Sequence, residues 1–364
     1  MKVVGIIVEY NPLHNGHRYH IKKVREESNA DIVIAVMSSS ITMRGDLSIF
    51  DKFTKTRQAM ENDVDLVIEL PLVYAMHRSD IFAKNAVDIL NSLMVDEIWI
   101  GSEENNIKLY EEYYNTFNIN PNQDKSISYK TLTTKEIPFD SNDILGFGYY
   151  KAIKDNNYNI NLYTIKRKSS NYLDTIPTDS NITSALSIRH DLSLINNYCP
   201  SFVSKETNKI LNEELLFSQL KYKILSTSTS DLKDIFFVDE GLENRLHSIV
   251  NYNSLNEFIN SLSTKKYTKT RIKRMLMYIL FNINKDEINE IQKENIPYVR
   301  ILGYNNIGQE YINKIKKNVL IYSNIKNGLH KSLDIELKVS KILDSIYNLN
   351  LLKLEQSKPY KKED

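Results

Sequence analysis

Cysteine is almost missing from this chain, since its 364 residues contain only Cys199. A single thiol excludes an intrachain disulfide framework and any metal site built on paired cysteines. Charge of either sign is not in excess either, because 47 basic and 46 acidic residues leave a formal net charge of +1. The whole chain is therefore not a general polyanion binder, and affinity for a nucleic acid has to come from a local basic patch.

Long apolar runs are also missing. The first run, Val3–Val8, is too short for the core of a signal peptide, and Glu9 interrupts it. No stretch approaches the roughly 20 apolar residues that a membrane helix needs. The 41% share of apolar residues is nevertheless enough for a real core. We expect a soluble, cytoplasmic, folded protein that has no membrane partner.

Five short apolar runs in the first half are rich in β-branched residues and do not alternate with polar ones. They are "VVGIIVEY", "DIVIAVMSS", "DLVIELP", "DEIWIGSE" and "INLYTIKR". Strands that are buried on both faces have such sequences. Segments with helical spacing separate them, such as residues 17–28 and 82–95. Strands that alternate with helices at intervals of about 30 residues predict an α/β fold, a doubly wound parallel sheet.

The second half has a different sequence pattern. After about residue 195 the segments are mostly amphipathic helices, such as 271–283, with one strand–helix–strand pattern at 297–324. We therefore place a domain boundary near residue 195, which gives an α/β domain at 1–195 and a mainly helical domain at 196–364. Turn-forming residues and lysines interrupt the first domain at 104–140, and we predict a surface insertion there.

Three of the seven histidines follow the first predicted strand, since His14, His17 and His20 all lie in "EYNPLHNGHRYH". Ligands bind at the carboxyl ends of strands in open parallel sheets, and a helix start favours an anion. Gly16 lets a ligand approach the backbone closely. Two imidazoles three residues apart can both donate hydrogen bonds to phosphate oxygens. The strand–HxGH–helix order thus predicts a phosphate site.

Two other interpretations of this histidine cluster stay open. A histidine near a helix start can simply cap the helix, and the three histidines could together hold zinc. The cluster contains no Asp or Cys, which disfavours zinc, and we predict no metal site.

A second motif, "ITSALSIRH" at 182–190, fits a phosphate-binding helix start. Ser184 and Ser187 can cap the helix and bind phosphate oxygens, and Arg189 can balance the charge of a triphosphate. An ordinary Ser-capped helix is the alternative. With "HNGH" before it, the motif is similar to that of the HxGH nucleotidyltransferase superfamily, whose members activate a substrate with a nucleoside triphosphate and release pyrophosphate.

Further stretches narrow this resemblance. The chain resembles the bacterial tRNA(Met) cytidine acetate ligases over nearly its whole length, in "VEYNPLHNGHRYH", "VMSSSITMRGD", "DLVIELP", "IFAKNAVDIL", "IGSEE", "NDILG", "KKYTKTRIKR" and "VRILGY". Two positions depart from that family. Ser39-Ser40 stands where Gly followed by Asn or His is usual, and Asn85 stands where Gly is common. Both departures bear on loop geometry near the site.

The resemblance implies a ligase that uses ATP to convert acetate to acetyl-adenylate. The enzyme then passes the acetyl group to the exocyclic amine of the wobble cytidine of elongator methionine tRNA. ATP carries Mg²⁺ as its usual counterion, and no tightly bound cofactor is expected. His14 and His17 are the implied catalytic residues. The implied ATP-binding residues are Ile7, Val8, Glu9, Tyr10, Asn11, Pro12, Leu13, His14, Asn15, Gly16, His17, Arg18, Tyr19, His20, Gly101, Asn142, Arg167, Ser184, Ser187 and Arg189.

The chemistry of three of these residues agrees with such a site. Gly101 follows a predicted strand, so its backbone can face a nucleotide closely. Asn142 can read an adenine edge or hold ribose, and Arg167 at a strand end can pair with phosphate. Without the resemblance, a plain turn, an Asx-turn and a surface ion pair would be the simpler interpretations.

Six basic residues fall within the ten positions 265–274. Beside them Ile272, Leu276 and Ile279 recur at helical spacing, which turns one helix face to the core and leaves the basic residues in solvent, with Tyr267 available for stacking. The predicted RNA-contacting residues are Lys265, Lys266, Lys269, Arg271, Lys273 and Arg274, with Lys52, Lys55 and Arg57 as candidates for tRNA or triphosphate in the first domain. A solvated helix face is the alternative.

Two further functions stay open at this level. One is a nucleotidyltransferase that acts on a small metabolite, and the other is a non-catalytic RNA-binding protein on a degenerate nucleotide fold. The long basic C-terminal region argues against the first, and the intact His14, Gly16 and His17 argue against the second. The sequence identifies no general base for acetyl transfer.

Overall fold

The structure is a computed structural model, and it describes residues 1–119, 139–168, 177, 179–239 and 241–363. Most of the insertion predicted at 104–140 lies outside the described residues, although its first part forms the helix Ile107–Ile119. Within the described ranges, no helix combines the length and the apolar character needed to cross a bilayer.

The described residues form one eight-stranded sheet. Its strands are β1 (Val3–Val8), β2 (Ile32–Ser38), β3 (Leu66–Leu70), β4 (Glu97–Ser102), β5 (Asn161–Lys166), β6 (Val299–Tyr304), β7 (Ile321–Tyr322) and β8 (Tyr360–Lys361). The strand order is β5-β4-β1-β2-β3-β6-β7, and β8 pairs with β6. All five strands predicted in the first half are confirmed.

The helices of the first half lie between these strands. They are α1 (Asn15–Ser28), α2 (Lys52–Glu61), α3 (Leu72–Ala75), α4 (Ser79–Ser92), α5 (Ile107–Ile119), α6 (Ser141–Asp155) and α7 (Ala185–His190). The second half contains α8 (Ile195–Tyr198), α9 (Ser201–Ser204), α10 (Leu216–Leu225), α11 (Thr229–Asp234), α12 (Leu242–Leu246), α13 (Leu255–Leu262), α14 (Lys269–Leu280), α15 (Lys285–Ile291), α16 (Asn306–Ile315), α17 (Lys331–Tyr347) and α18 (Leu351–Glu355).

Helices cover both faces of the sheet, which explains the continuous apolar strands. In β2, Ile34 packs into one core with Phe82 of α4, whereas Val33 packs into a second core with Ile21 of α1. Every residue of β2 is buried. The prediction of a doubly wound α/β sheet is therefore confirmed.

The sheet has its topological switch point at β1. This strand pairs in parallel with β2 on one side and with β4 on the other, so the chain leaves β1 in two directions. A crevice opens beyond the carboxyl ends of β1 and β4 in such a sheet, and ligands bind there.

The C-terminal half is mostly helical, as predicted, and it also contributes to the sheet. The predicted strand–helix–strand pattern at 297–324 is confirmed as β6, α16 and β7. β6 runs antiparallel to β3, and both β7 and β8 are parallel to β6. The sheet is thus mostly parallel with a reversed edge. The sheet contains strands from both sides of residue 195. The domain boundary proposed near that residue stays a prediction.

A buried network of five charged side chains joins the two halves. The Lys52 ammonium lies 2.5 Å from Glu69, 2.8 Å from Glu336 and 2.7 Å from Glu355, and Arg300 lies 2.6 Å from Glu69 and also pairs with Glu355. Each of the five side chains is at most 2% exposed. Two cations thus face three carboxylates. Burial, together with the nearby Glu69 carboxylate, raises the pKa of Glu336 to about 7.

Candidate active site

The two predicted catalytic histidines lie at the carboxyl end of β1, as expected. β1 ends at Val8, and α1 begins with His14 as its N-cap in extended backbone conformation, with φ −134° and ψ 174°. His14 is buried and His17 is half-buried. Between the strand and His14, the side chains of Tyr10 and Leu13 pack in the core.

Backbone hydrogen bonds decide which nitrogen of each ring carries the proton. The N–H of Gly16 donates to His14 Nδ1 at 3.0 Å, and the N–H of His14 donates to His17 Nδ1 at 3.2 Å. Because both Nδ1 atoms accept, each neutral ring carries its proton on Nε2. The ring centroids are 3.9 Å apart with an interplanar angle of 34°. The histidines therefore cap the helix with one nitrogen and present a donor on the other.

The surroundings keep these rings neutral. Burial, with a further contribution from Arg167 and Arg189, lowers the pKa of His14 to about 3. Burial and the neighbouring His14 lower the pKa of His17 well below its ordinary value. Burial and Arg167 lower the pKa of His20 to about 4. At pH 7 the cluster thus offers neutral N–H donors beside two guanidinium groups.

Neutral imidazoles can also bind zinc, and acidic or thiol side chains near them could complete a metal site. In the part of the chain that the structure describes, no three His, Cys, Asp or Glu side chains converge in a group that could hold a metal ion. Neutral N–H donors beside guanidinium groups suit an anionic ligand, and the absence of a metal site stays a prediction.

The second motif packs directly on the first. A Cβ atom at Gly16 would lie 2.8 Å from His14 Cε1 and 3.4 Å from Cγ2 of Ile182, so only glycine fits without movement. The Asn15 amide donates to the carbonyl of Asn181 at 2.9 Å. The Arg189 guanidinium donates to the carbonyl of Asn11 at 2.6 Å. Tertiary contacts therefore bring 11–17 and 181–189 together.

The two serines of the second motif act as helix caps in this structure. Ser184 is the N-cap of α7 and accepts from the N–H of Ser187 at 3.0 Å. The two hydroxyl groups lie 3.0 Å apart, and both side chains are buried. Their predicted contact with phosphate stays a prediction, and Arg189, the arginine of this motif, is half-buried.

Gly101, Asn142 and Arg167 meet at the carboxyl end of β4. A Cβ atom at Gly101 would lie 3.5 Å from Cγ of Arg167. Arg167 Nε lies 3.2 Å from the carboxylate of Glu103, and the Asn142 amide donates to that same carboxylate. Three residues from distant parts of the chain thus share one small region beside the histidines.

Sequence reasoning missed two carboxylates that organise this region. Asp143 is fully buried and accepts from the N–H groups of Glu103 and Glu104 at 2.9 and 3.1 Å, and from the Tyr110 hydroxyl at 2.5 Å. It therefore fixes the turn after β4. Glu103 lies two residues after Gly101 in "IGSEE", and Asp143 directly follows Asn142 in "NDILG". This closeness in sequence is the signal that could have identified them.

The structure does not support contacts with tRNA or with triphosphate for two lysines of α2. Lys52 is 2% exposed and belongs to the buried network described above. Lys55 is fully buried, and its ammonium donates to the carbonyls of Glu9, Ser38 and Ser39 at 2.9, 3.1 and 2.8 Å. Lys55 thus joins the ends of β1 and β2. Both corrections have one physical reason, since these ammonium groups are enclosed by protein oxygen atoms.

Arg57 is a different case on the same helix. Its guanidinium donates to the Thr54 hydroxyl at 2.8 Å and to Glu206 at 3.4 Å, and about one third of its side chain is exposed. An RNA contact by Arg57 stays a prediction.

The basic segment at 265–274 divides into an exposed and a packed part. Ile272, Leu276 and Ile279 are buried, as the helical spacing predicts. Lys265, Lys266 and Lys269 are exposed at the start of α14. These three lysines form the surface that we call the lysine edge.

The remaining basic residues of this segment are half-buried and bonded within the protein. Arg271 lies 3.4 Å from Asp239, Lys273 pairs with Asp46, and Arg274 donates to the carbonyl of His77. Tyr267 is buried, with the Arg271 guanidinium 5.0 Å from its ring centroid. The expectation that Tyr267 is open for stacking is therefore wrong, because the protein already covers it.

Comparisons with known proteins agree on one family. Residues 1–358 match a family model described as HIGH Nucleotidyl Transferase. The tRNA(Met) cytidine acetate ligase of Leuconostoc mesenteroides is 38% identical over 375 residues, which cover 96% of each chain. The protein of the same name from Staphylococcus aureus is 37% identical over 337 residues, which cover 87% of each chain.

Two crystal structures share the fold over the full length of both chains. The apo form of Thermotoga maritima TmcAL has a TM-score of 0.82 at 26% identity, with 100% of each chain covered. The same protein bound with alpha-thio ATP also has a TM-score of 0.82, at 24% identity, and at that level of identity it supports the fold alone.

Proposed function

This chain belongs to the tRNA(Met) cytidine acetate ligase family, and from that premise we propose how the described site carries out the reaction. The enzyme is an ATP-dependent ligase. In the first step an oxygen of acetate bonds to the α-phosphorus of ATP, and pyrophosphate leaves. In the second step the exocyclic nitrogen of cytidine in methionine tRNA bonds to the acetyl carbon, AMP leaves, and the nitrogen loses a proton.

The pair of Nε2–H donors at the start of α1 carries this proposal. Both rings of His14 and His17 are oriented by backbone N–H groups, so their Nε2–H groups need no reorientation when substrate binds. Donors held in place at the point where phosphate charge develops stabilise the transition state. The positive end of the α1 dipole acts in the same direction.

Arg167 and Arg189 supply the positive charge that a triphosphate needs. Both guanidinium groups are close enough to depress the pKa of His14. Each already makes one hydrogen bond or ion pair that orients it, Arg167 to Glu103 and Arg189 to the carbonyl of Asn11. Gly101 and Asn142 would then face the nucleoside at the carboxyl end of β4.

Magnesium fits this site only as part of the substrate. Mg²⁺ usually binds one or two carboxylates, substrate phosphates and several waters. Here the carboxylates of Glu9 and Glu103 are already engaged, Glu9 by the N–H of Met43 and Glu103 by Asn142 and Arg167. The ion would therefore arrive as the counterion of ATP, where it neutralises phosphate charge.

For acetyl transfer we assign positioning rather than a general base. The mixed anhydride is already a good acyl donor, and holding the cytidine amine beside it supplies much of the rate. We place the RNA on the lysine edge, within the helical region 196–364. Its three lysines are the exposed basic residues of the segment 265–274. Because ATP and tRNA are its substrates, we propose that the enzyme acts in the cytoplasm.

The experiment combines two assays on the purified protein. Pyrophosphate release is measured with ATP and acetate, with and without methionine tRNA. Label transfer is measured with radioactive acetate plus ATP, and in parallel with radioactive acetyl-CoA without ATP. We expect acetate-dependent pyrophosphate release and label in N4-acetylcytidine from acetate only. Label that enters cytidine from acetyl-CoA alone, or pyrophosphate release that needs another metabolite and not acetate, would contradict the proposal.

A further inference from the structure

Aromatic and basic side chains cluster near the start of α14, outside the nucleotide site. The His77 ring centroid lies 5.6 Å from that of Phe236 and 5.5 Å from that of Phe237. The guanidinium carbon of Arg274 lies 5.4 Å from the Phe237 ring centroid. We call these four residues the aromatic–arginine cluster. They come from the segment before α4, the segment after α11 and α14 itself.

His77 presents a hydrogen-bond donor for which the described residues supply no acceptor. Its Nδ1 accepts from the N–H of Arg78 at 2.8 Å, so the neutral ring carries its proton on Nε2. This Nε2 is buried, and it has no hydrogen-bond partner among the described residues. Burial, with Arg274 and Arg78 nearby, lowers the pKa of His77 to about 4. A buried donor without an acceptor is unfavourable unless a ligand supplies one.

Two more features of the cluster are unfavourable in the protein alone. Arg274 donates one N–H to the carbonyl of His77, but its Nε is buried without a partner in the described part of the chain. Phe237 has a φ of +68°, in the left-handed region that bulky residues seldom adopt. Strained backbone of this kind concentrates where ligands bind.

The cluster is closed on its inner side and open on its outer side. Tyr278, which is fully buried, lies behind it with its ring centroid 5.1 Å from that of Phe236. Phe236 and Phe237 are only half-buried. Part of the surface of these two residues is therefore accessible, whereas the two unused donor atoms are buried.

A hairpin connects the cluster to the nucleotide site. Ile41 and Leu47 pair across this hairpin. On one side, a Cβ atom at Gly45 would lie only 2.5 Å from the backbone nitrogen of Arg274. On the other side, the N–H of Met43 donates to the carboxylate of Glu9 at 2.7 Å, directly before the HxGH segment.

We propose that the aromatic–arginine cluster binds one unpaired nucleobase of the RNA substrate, a neighbour of the cytidine that is acetylated. The two phenylalanine rings provide surface for stacking, and Nε2 of His77 and Nε of Arg274, which are buried in the structure, become donors to acceptors on the base edge when the base enters the cluster. The lysine edge begins the same helix and would hold the adjoining phosphates. This inference rests on the proposed function, because it assumes an RNA substrate.

The test combines a change in the RNA with a change in the protein. Methionine tRNA is prepared with single abasic nucleotides at each loop position flanking the target cytidine, and Kd is measured for each. In the unmodified protein, one abasic position should weaken binding about 5- to 150-fold, as loss of a stacked base does. The double variant F236L/F237L keeps apolar side chains at both positions but removes the aromatic faces. For this variant, the same abasic position should change Kd less than twofold.

The control variant is Y222A, which removes an aromatic ring that is 76% exposed on α10. It should retain the full abasic effect. Thermal unfolding of each variant shows whether it is folded. H77A provides a second test, because it removes the unused Nε2–H donor and leaves both phenylalanine rings in place. The inference is overturned if an abasic position weakens binding equally in the unmodified protein and in F236L/F237L, or if no abasic position weakens binding at all. In either case, acetylation of tRNA by the unmodified protein would still support the proposed function. Absence of any tRNA acetylation overturns both.

Discussion

At the scale of single residues, His14 shows that capping a helix and binding phosphate are compatible tasks. Its Nδ1 caps α1 while its Nε2–H remains a donor. His330 makes the same kind of cap on α17, where its Nδ1 accepts from the N–H of Ser332 at 3.2 Å. The chain therefore contains capping histidines inside the candidate site and another at the start of α17.

We predict that H14A and H17A each lower acetate-dependent pyrophosphate release about 100- to 1,000-fold, the usual loss for one transition-state donor. The matched control is H330A, which should cost about 1 kcal/mol of stability, as cap removal does, and leave pyrophosphate release intact. Similar activity of H14A and H330A would show that His14 is only a cap.

The depressed pKa of His14 also predicts how stability depends on pH. The folded-state pKa is about 3 and the ordinary value is 6.5, so the unfolded chain binds more protons between these values. The free energy of unfolding therefore falls as pH drops below 6.5, and His14 alone accounts for about 2 kcal/mol between pH 6.5 and pH 5. Urea unfolding of the native protein and of H14Q at these two pH values measures the difference, and parallel losses in both proteins would contradict the assignment.

At the scale of elements, α14 separates into a part that faces solvent and a part that holds the fold. We predict that K265E/K266E/K269E weakens tRNA binding and reduces the slope of log K against log salt by about one for each lost phosphate contact. Filter binding across a salt series measures both quantities.

The matched control for the lysine edge is K314E/K316E/K317E, which reverses three exposed lysines at the end of α16. It changes the net charge equally, so it should leave the salt slope unchanged if binding depends on the lysine edge. If both triple variants weaken binding alike, the attraction comes from overall charge and not from α14.

At the scale of the whole molecule, the buried charge network joins α2 and β3 to β6, α17 and α18. Removing one cation leaves three carboxylates against one positive charge, so K52M should lower the free energy of unfolding by about 3–5 kcal/mol. E336Q balances two cations with two carboxylates and should cost much less. Urea unfolding at pH 7 compares them, and an equal loss in both variants would show that packing, not charge balance, decides the outcome.

The sequence by itself determined the local architecture of this protein. The β-branched runs specify β1–β5 because strands buried on both faces need continuous apolar residues, and the order of "VVGIIV" and "HNGH" places His14 and His17 at a strand end. Such patterns depend on neighbours within a few positions, so they can be read without the fold. The family resemblance rests on the same short stretches.

Tertiary structure alone decided which charged residues can meet a ligand. Lys52, Lys55 and Lys269 look alike in sequence, but two are enclosed by oxygen atoms from distant segments and one is exposed. The addition of β6 to β3, the role of Asp143 and the aromatic–arginine cluster likewise depend on segments far apart in the chain. Burial and pairing are properties of such long-range contacts, because a side chain's exposure is determined by what packs over it and not by its neighbours in sequence.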